Sequence, residues 1–338
     1  MPRPDRCQLI ARDNGAGLSR DLPLLADALQ RAGCSTQVTG LPHRGRFAEW
    51  ITRIQLARKP PTFDVNVMLE RIRPEFLRAA QRSVLIPNPE YFRPQDQATL
   101  SMMDAVWVKT RHAKRLFDAL GAHTRYIGFT STDRLDADVP HKRAFFHGPG
   151  RSGNKGTQAL LALWRKHPEW PTLTVAWRRK RVEIEALPAN VTLIRDHLSD
   201  ADYRRLQNEH RFHLCPSQTE GFGHYLVEAM SCRAVVVTLD AEPMNELVTA
   251  ERGVLVSAQP IGMQDLATCY GFTEAAMEVA VEHCLSMDAA MAERMGEAAR
   301  AWYEQNHAGF PKRLLEALTC LRNAGDSSAS FRRRPESS

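Results

Sequence analysis

The chain has 338 residues, 43% of them hydrophobic and 25% charged, with a formal net charge of +6. That length suits two domains of ordinary size; no apolar run approaches the roughly 18–20 residues that span a bilayer, and the start, MPRPDRCQLIARDNG, lacks the apolar stretch of a secretory leader. The seven cysteines are scattered, which points to reduced thiols, and neither they nor the twelve histidines show metal-ligand spacing.

In chain order, CQLIA reads as a strand, RDNGAGLSRD as a turn with Gly15 and Gly17, and LPLLADALQRAG as a helix ending at Gly33. STQVTGL is a strand, FAEWITRIQLAR a helix and FDVNVML a strand. RSVLIPN, ATLSMMD, AVWVKT, RHAKRLFDALG and HTRYIGFT continue the series. Apolar strands of five to seven residues alternating with helices predict βαβ units and a parallel sheet. A second series opens at RAFFHGPG, with KGTQALLALWRKHP as helix, TLTVAW and NVTLI as strands, DADYRRLQNEH as helix and RFHLCPS as strand. AVVVTL, the loop DAEPMNE and GVLVS follow, and the chain reads as helical from Thr273 to Leu321. The polar stretch STDRLDADVPHK reads as a linker, which gives domains over 1–138 and 139–300, and the tail 323–338 reads as disordered. The expected fold class is α/β: two Rossmann-like, doubly wound domains facing across a cleft at the carboxyl ends of their sheets.

The charge is uneven. Through Lys142 there are 22 Lys and Arg against 15 Asp and Glu, and beyond it 23 against 24. The basic excess of the first half serves solubility, or forms a surface for phosphate, an acidic glycan or an anionic membrane. Basic runs interleaved with aromatics are missing, which argues against nucleic acid as partner.

The stretch PSQTEGFGHYLVEAMSCRAVVV, from Pro216 to Val237, carries the chemistry. A buried strand leads into a loop with Glu220, Gly221 and Gly223, and then into a helix with Glu228 about one turn in. Glycines let the backbone approach a ligand and expose N–H groups. The helix N-terminus suits an anion such as a phosphate. A carboxylate accepts two hydroxyl hydrogen bonds, as a vicinal diol on a sugar or ribose offers.

This constellation resembles the signature of glycosyltransferase family 4, the retaining, nucleotide-sugar-dependent group 1 type of the GT-B fold. The match lies at Pro216, Ser217, Glu220, Gly221, Phe222, Gly223, Glu228, Ala229 and Met230. The family more often has Leu-Pro where His224 and Tyr225 stand, and Gly where Arg233 stands. The resemblance implies that Glu220 contacts the donor sugar and Glu228 the ribose, with Phe222 and His224 in the same donor loop. It also implies that Arg151 and Lys155, in GRSGNKG, hold the donor pyrophosphate, although their spacing is four where the family often shows five. Two cations beside Gly150, Gly153 and Gly156 make a phosphate cradle on physical grounds as well.

Gly15 and Gly17 resemble the family's glycine-rich first loop, near donor phosphate or acceptor; a simple turn explains them equally. Glu246, with Met244 and Asn245 beside it, lies where relatives line the sugar and nucleotide pocket, and Asn245 serves equally as a helix cap. Asn88 and Glu90, in LIPNPEYF, are acceptor candidates or parts of a Pro-bounded turn. Thr110 is expected to cap the helix that follows it. The resemblance also implies that the last helix, 301–322, returns to the first domain.

The reading that follows is an enzyme, a retaining glycosyltransferase using front-face transfer, with no cofactor and no essential metal; Asp136 and Asp138 read as solvated linker. The expected partners are a nucleotide-sugar donor and a glycan or lipid-linked acceptor, with peripheral contact to an anionic membrane from the cytoplasm. A nucleotide-sugar epimerase or a non-catalytic binding module on the same fold are the alternatives.

Overall fold

The computed structural model describes residues 4–12, 17–41, 52, 54–56, 60–178 and 187–331. The chain divides into two units: Met1–Phe129 with Ala308–Ser338, and Thr130–His307.

In the first unit the strands are β1 (Arg6–Arg12), β2 (Ser35–Leu41), β3 (Phe63–Leu69), β4 (Ala80–Ile86), β5 (Ala105–Val108) and β6 (Thr124–Tyr126), in the sheet order β2-β1-β3-β4-β5-β6. Every pairing is parallel. Cys7, Leu9, Ile10 and Ala11 of β1 are buried, and the carboxyl-terminal halves of β3 (Val67, Met68, Leu69) and β4 (Val84, Leu85, Ile86) are buried and apolar on both faces, as strands covered on two sides must be. Helix α1 (Gly17–Arg31) ends where Gly33 adopts φ +89° and the Cys34 N–H donates to Leu29 O. Helix α2 (Arg111–Ala119) is capped by Thr110, whose Oγ1 accepts from Ala113 N at 3.0 Å, as its position before an amphipathic run implies. The helix expected over FAEWITRIQLAR lies largely outside the described residues.

The second unit holds β7 (Lys142–Gly150), α3 (Thr157–Lys166), β8 (Leu173–Trp177), β9 (Val191–Ile194), α4 (Asp200–Glu209), β10 (His210–Cys215), α5 (His224–Ser231), β11 (Val235–Leu239), α6 (Met244–Leu247) and β12 (Gly253–Val256). Its parallel sheet runs β12-β11-β10-β7-β8-β9. The order reverses between β7 and β10, the topological switch point at whose carboxyl ends such sheets form their crevice. Phe145 anchors the core, its ring 5.2 Å from Trp164 and 5.1 Å from Phe212.

Three features were not legible. An antiparallel hairpin, β13 (Ala258–Gln264) and β14 (Ala267–Phe272), follows β12. β13 is exposed nearly throughout, so it lacks the alternation that marks a half-buried strand. The stretch 131–142, read as linker, belongs to the second unit. Arg134 is buried there, donating from Nε to Gln207 Oε1 at 2.9 Å and from Nη1 to Asp200 Oδ1 at 2.8 Å, while Ser231 Oγ accepts from its backbone N at 2.9 Å. Its polarity is that of a satisfied buried network rather than of solvent exposure. Third, after α7 (Glu274–Ser286), helix α8 (Ala289–Phe331) continues into the stretch read as a disordered tail; from Ala308 it belongs to the first unit, the domain to which the sequence reading sends the last helix. Extending an existing helix requires no new nucleus. Within the first unit, the Phe310 ring of α8 lies 5.1 Å from Phe129, and Arg313 Nε donates to Ile127 O at 2.7 Å. Among the described residues, no helix is long and apolar enough to cross a membrane.

Candidate active site

The site forms in the second unit where β7 and β10 lie side by side. His147, near the end of β7, is fully buried and spans the two strands. Its Nδ1–H donates to Leu214 O at 2.7 Å, which leaves Nε2 as the acceptor for the Thr157 hydroxyl at 2.9 Å. Burial lowers the His147 pKa to about 4, so the ring is neutral and serves as a fixed strut between the sheet and the start of α3.

Two loops leave this edge, 151–156 after β7 and 216–223 after β10, and they touch: Gln218 N donates to Asn154 O at 3.0 Å. Gly156 lets them close up. It adopts φ +69°, and a Cβ there would stand 3.1 Å from Pro216 Cγ and 3.2 Å from Phe272 Cε1. The β13–β14 hairpin braces both loops, since Tyr270 N donates to Gln218 O at 2.8 Å and Asn154 Nδ2 to Gln264 Oε1 at 2.9 Å. Gly223 ends the second loop as the N-cap of α5, with φ +101°. A Cβ there would lie 2.7 Å from Leu226 Cδ1.

Lys155 and Glu220, one from each loop, form an ion pair between Nζ and Oε1. Their side chains are 16% and 13% exposed, so the pair is largely withdrawn from water. The same Glu220 oxygen accepts from Ser217 Oγ. Ser217 Oγ also meets the Tyr225 hydroxyl at 2.6 Å, and Lys155 Nζ lies 4.1 Å from the centre of the Tyr225 ring. Glu228, 5% exposed on α5, accepts from Gln207 Nε2 at 3.0 Å. Arg134 holds the Gln207 amide oxygen, which turns the amide NH2 toward Glu228. A lysine, the carboxylate it pairs with and a second oriented carboxylate are thus brought together by two touching loops, of which 216–223 is largely buried and 151–156 partly exposed.

The other sequence candidates are placed as follows. Gly221 and Phe222 are buried in the loop, with the Phe222 ring edge-on to His224 at 5.4 Å. His224 Nδ1 lies 2.8 Å from Ser131 Oγ. Arg151 is exposed just past β7. Met244 is fully buried at the start of α6, while Glu246 is half-buried. Asn245 donates from Nδ2 to Asp240 Oδ1 at 3.0 Å; the N-cap of α6 is Pro243. Gly15 lies outside the described residues, and Gly17 opens α1.

Asn88 and Glu90 belong to the first unit, at the turn after β4. Asn88 Oδ1 accepts from Lys109 Nζ at 3.1 Å, and Lys109 pairs with Asp21 at 2.5 Å, each side chain 4% exposed. Glu90 is buried nearby in sequence, on a one-turn 3-10 helix. Sequence reasoning did not assign roles to Tyr225, Gln207 or Lys109. The one available signal was the aromatic residue at 225 where the resembled family has proline. Among the described residues, no three His, Cys, Asp or Glu side chains converge as metal ligands.

Two parallel six-stranded sheets with covering helices, in a chain that superposes on GT-B glycosyltransferase structures, define a GT-B fold of the α/β class. Residues 175–267 match the family model "Glycosyl transferases group 1". That span contains Glu220 and Glu228 and begins after Lys155. No curated protein matches the chain. Among solved structures, sucrose-phosphate synthase from Thermosynechococcus elongatus superposes with a TM-score of 0.70 at 15% identity, over 95% of this chain and 100% of that one. HepE from Anabaena, in complex with UDP-glucose, gives 0.68 at 14% identity, over 94% and 100%. A glycosyltransferase from Rickettsia africae gives 0.66 at 13% identity, over 95% and 98%. At these identities the likenesses carry the fold; with the family match they support a glycosyltransferase.

Proposed function

We propose that the chain is a retaining glycosyltransferase that moves a sugar from a nucleoside diphosphate sugar to a hydroxyl of a glycan or lipid-linked acceptor, without a metal. The observation that carries this reading is the Lys155–Glu220 pair, set on two touching glycine loops at the β7/β10 crevice, with Glu228 held beside Gln207 on the helix that follows. HepE, solved with UDP-glucose, supports a nucleotide sugar as the donor class.

In this reading Lys155, with Arg151 at the loop's start, takes the donor diphosphate, and its charge stabilises the phosphate as it departs. Glu220, released from Lys155, accepts hydrogen bonds from sugar hydroxyls, and Glu228 accepts them from the ribose. The bond between the anomeric carbon and the phosphate oxygen breaks. The acceptor oxygen bonds that carbon on the same face, and its proton passes to a leaving phosphate oxygen. Asn88 and Glu90 contribute to the acceptor side, and the basic excess of the first half suits an acceptor at an anionic membrane surface facing the cytoplasm.

The test begins with thermal shift against UDP, GDP and ADP sugars, since a ligand at a hundred times its Kd adds about 2.7 kcal/mol. Nucleotide release with the donor that binds is then measured for Glu220→Ala and Lys155→Ala. Loss of turnover in both, with folding intact, is expected. Wild-type turnover in both variants sinks the assignment.

A further inference from the structure

We propose that Tyr225 is the positioning residue of this site: its ring face holds the Lys155 ammonium and its hydroxyl holds Ser217, so that Lys155 stays aimed into the crevice when Glu220 lets go. The inference rests on the reading of the site as a diphosphate-sugar pocket and adds a residue that the resembled family does not supply, because proline commonly stands there.

Three contacts fix the arrangement. Lys155 Nζ stands 4.1 Å from the ring centroid, within the range at which a ring quadrupole attracts a cation. The Ser217 hydroxyl has one proton, and it donates that proton to Glu220 Oε1. The Tyr225 hydroxyl, 2.6 Å away, is therefore the donor to Ser217. The order of donation is Tyr225 to Ser217 to Glu220, with Lys155 bonded to the same carboxylate oxygen and resting on the ring that starts the relay. Burial, reinforced by the nearby Cys215 and Glu220, raises the Tyr225 pKa well above its ordinary value, so the phenol keeps the proton it donates.

A lysine with four rotatable side-chain bonds has many other places to go once its carboxylate partner turns to a sugar hydroxyl. Tyr225 limits that freedom from below. It is the second residue of α5, two positions after the Gly223 cap, so the backbone that presents the loop also presents the ring.

The experiment is a double-mutant cycle read by calorimetric titration of UDP, GDP and ADP. With the diphosphate that binds, Tyr225→Leu is expected to weaken affinity about tenfold in the wild-type background and to change nothing in Lys155→Met. Tyr225→Phe keeps the ring but drops the hydroxyl that holds Ser217, and is expected to fall between the wild type and Tyr225→Leu. Replacing Tyr225 by a polyfluorinated phenylalanine, which keeps the shape but weakens the negative face, is expected to weaken binding as Leu does; it carries the test if Tyr225→Leu does not fold. Equal losses in the wild-type and Lys155→Met backgrounds, or a fluorinated ring that binds as Phe does, overturn the positioning role and leave the pocket standing. Failure of the wild type to bind any of the three diphosphates overturns the reading of the pocket, and the positioning role with it.

Discussion

Breaking the Lys155–Glu220 pair from its two sides is expected to move diphosphate affinity in opposite directions. Lys155→Met removes a charged hydrogen bond to phosphate worth about 1.5–3 kcal/mol, so UDP or its equivalent binds roughly 10- to 150-fold more weakly. Glu220→Gln instead removes a carboxylate that competes for the same ammonium and repels the incoming phosphate. At a separation of about 6 Å and an effective dielectric near 20, that repulsion is about 3 kcal/mol before screening. The pair is 16% and 13% exposed, so screening is incomplete and a gain of at least about fivefold is expected for the bare diphosphate. The sugar nucleotide should behave differently, because the amide introduced by Glu220→Gln cannot replace a carboxylate that accepts two hydroxyls, and turnover should be lost in both variants. Titration calorimetry of diphosphate and sugar nucleotide against the three proteins, with nucleotide release as the activity readout, separates these effects. If Glu220→Gln weakens the bare diphosphate as Lys155→Met does, the carboxylate is not a competitor for the ammonium, and the pair does not act as a placeholder for phosphate.

Other outcomes follow from the same structure. Burial lowers the pKa of His147 to about 4 and that of His213 to about 3, both below an unfolded value near 6.5. Their stabilising effect is complete above about pH 6.5 and is lost as pH falls toward those values, at roughly 2 kcal/mol each by pH 5; a Tm that is flat between pH 7.5 and 5 contradicts this. Lys109→Met strands Asp21, whose side chain is 4% exposed, and is expected to cost about 3–5 kcal/mol, with partial recovery when Asp21→Asn is added; denaturant titration reads both. Gly223→Ala forces a side chain into φ +101° and against Leu226, for about 1–3 kcal/mol, and should weaken donor binding even where the protein folds; wild-type affinity in a folded variant refutes the role of that turn.

The second sheet was legible almost strand by strand because its members are short apolar runs bounded by polar helices, and a parallel sheet covered on both faces demands that pattern. The placement of Glu220 and Gly223 on the loop and of Glu228 on the helix was legible because a buried apolar strand and an amphipathic helix bound a short loop of unusual residue types. Arg134 escaped for the opposite reason: a buried arginine with all its partners looks, in sequence, like solvated linker. The hairpin carries Pro260 and Gly262 and leaves Ile261 and Met263 exposed, so neither composition nor periodicity announces a strand. Tyr225 and Gln207 act on residues brought together by the sheet order, and sequence spacing does not encode such contacts. The turn expected at Gly15 lies outside the described residues.

The division of the chain also sets an order of events during synthesis. The first unit begins at residue 1, yet it is completed only by residues from Ala308 onward, including Phe310, Leu314 and Leu318, which are buried there. The second unit is an uninterrupted stretch and leaves the ribosome whole while the earlier sheet still waits for its cover. The complete first unit therefore cannot precede the second, as an N-terminal domain usually does. A fragment ending before residue 308 would keep the second unit whole but leave the first without the Phe310 ring against Phe129 and without the Arg313 guanidinium on the Ile127 carbonyl.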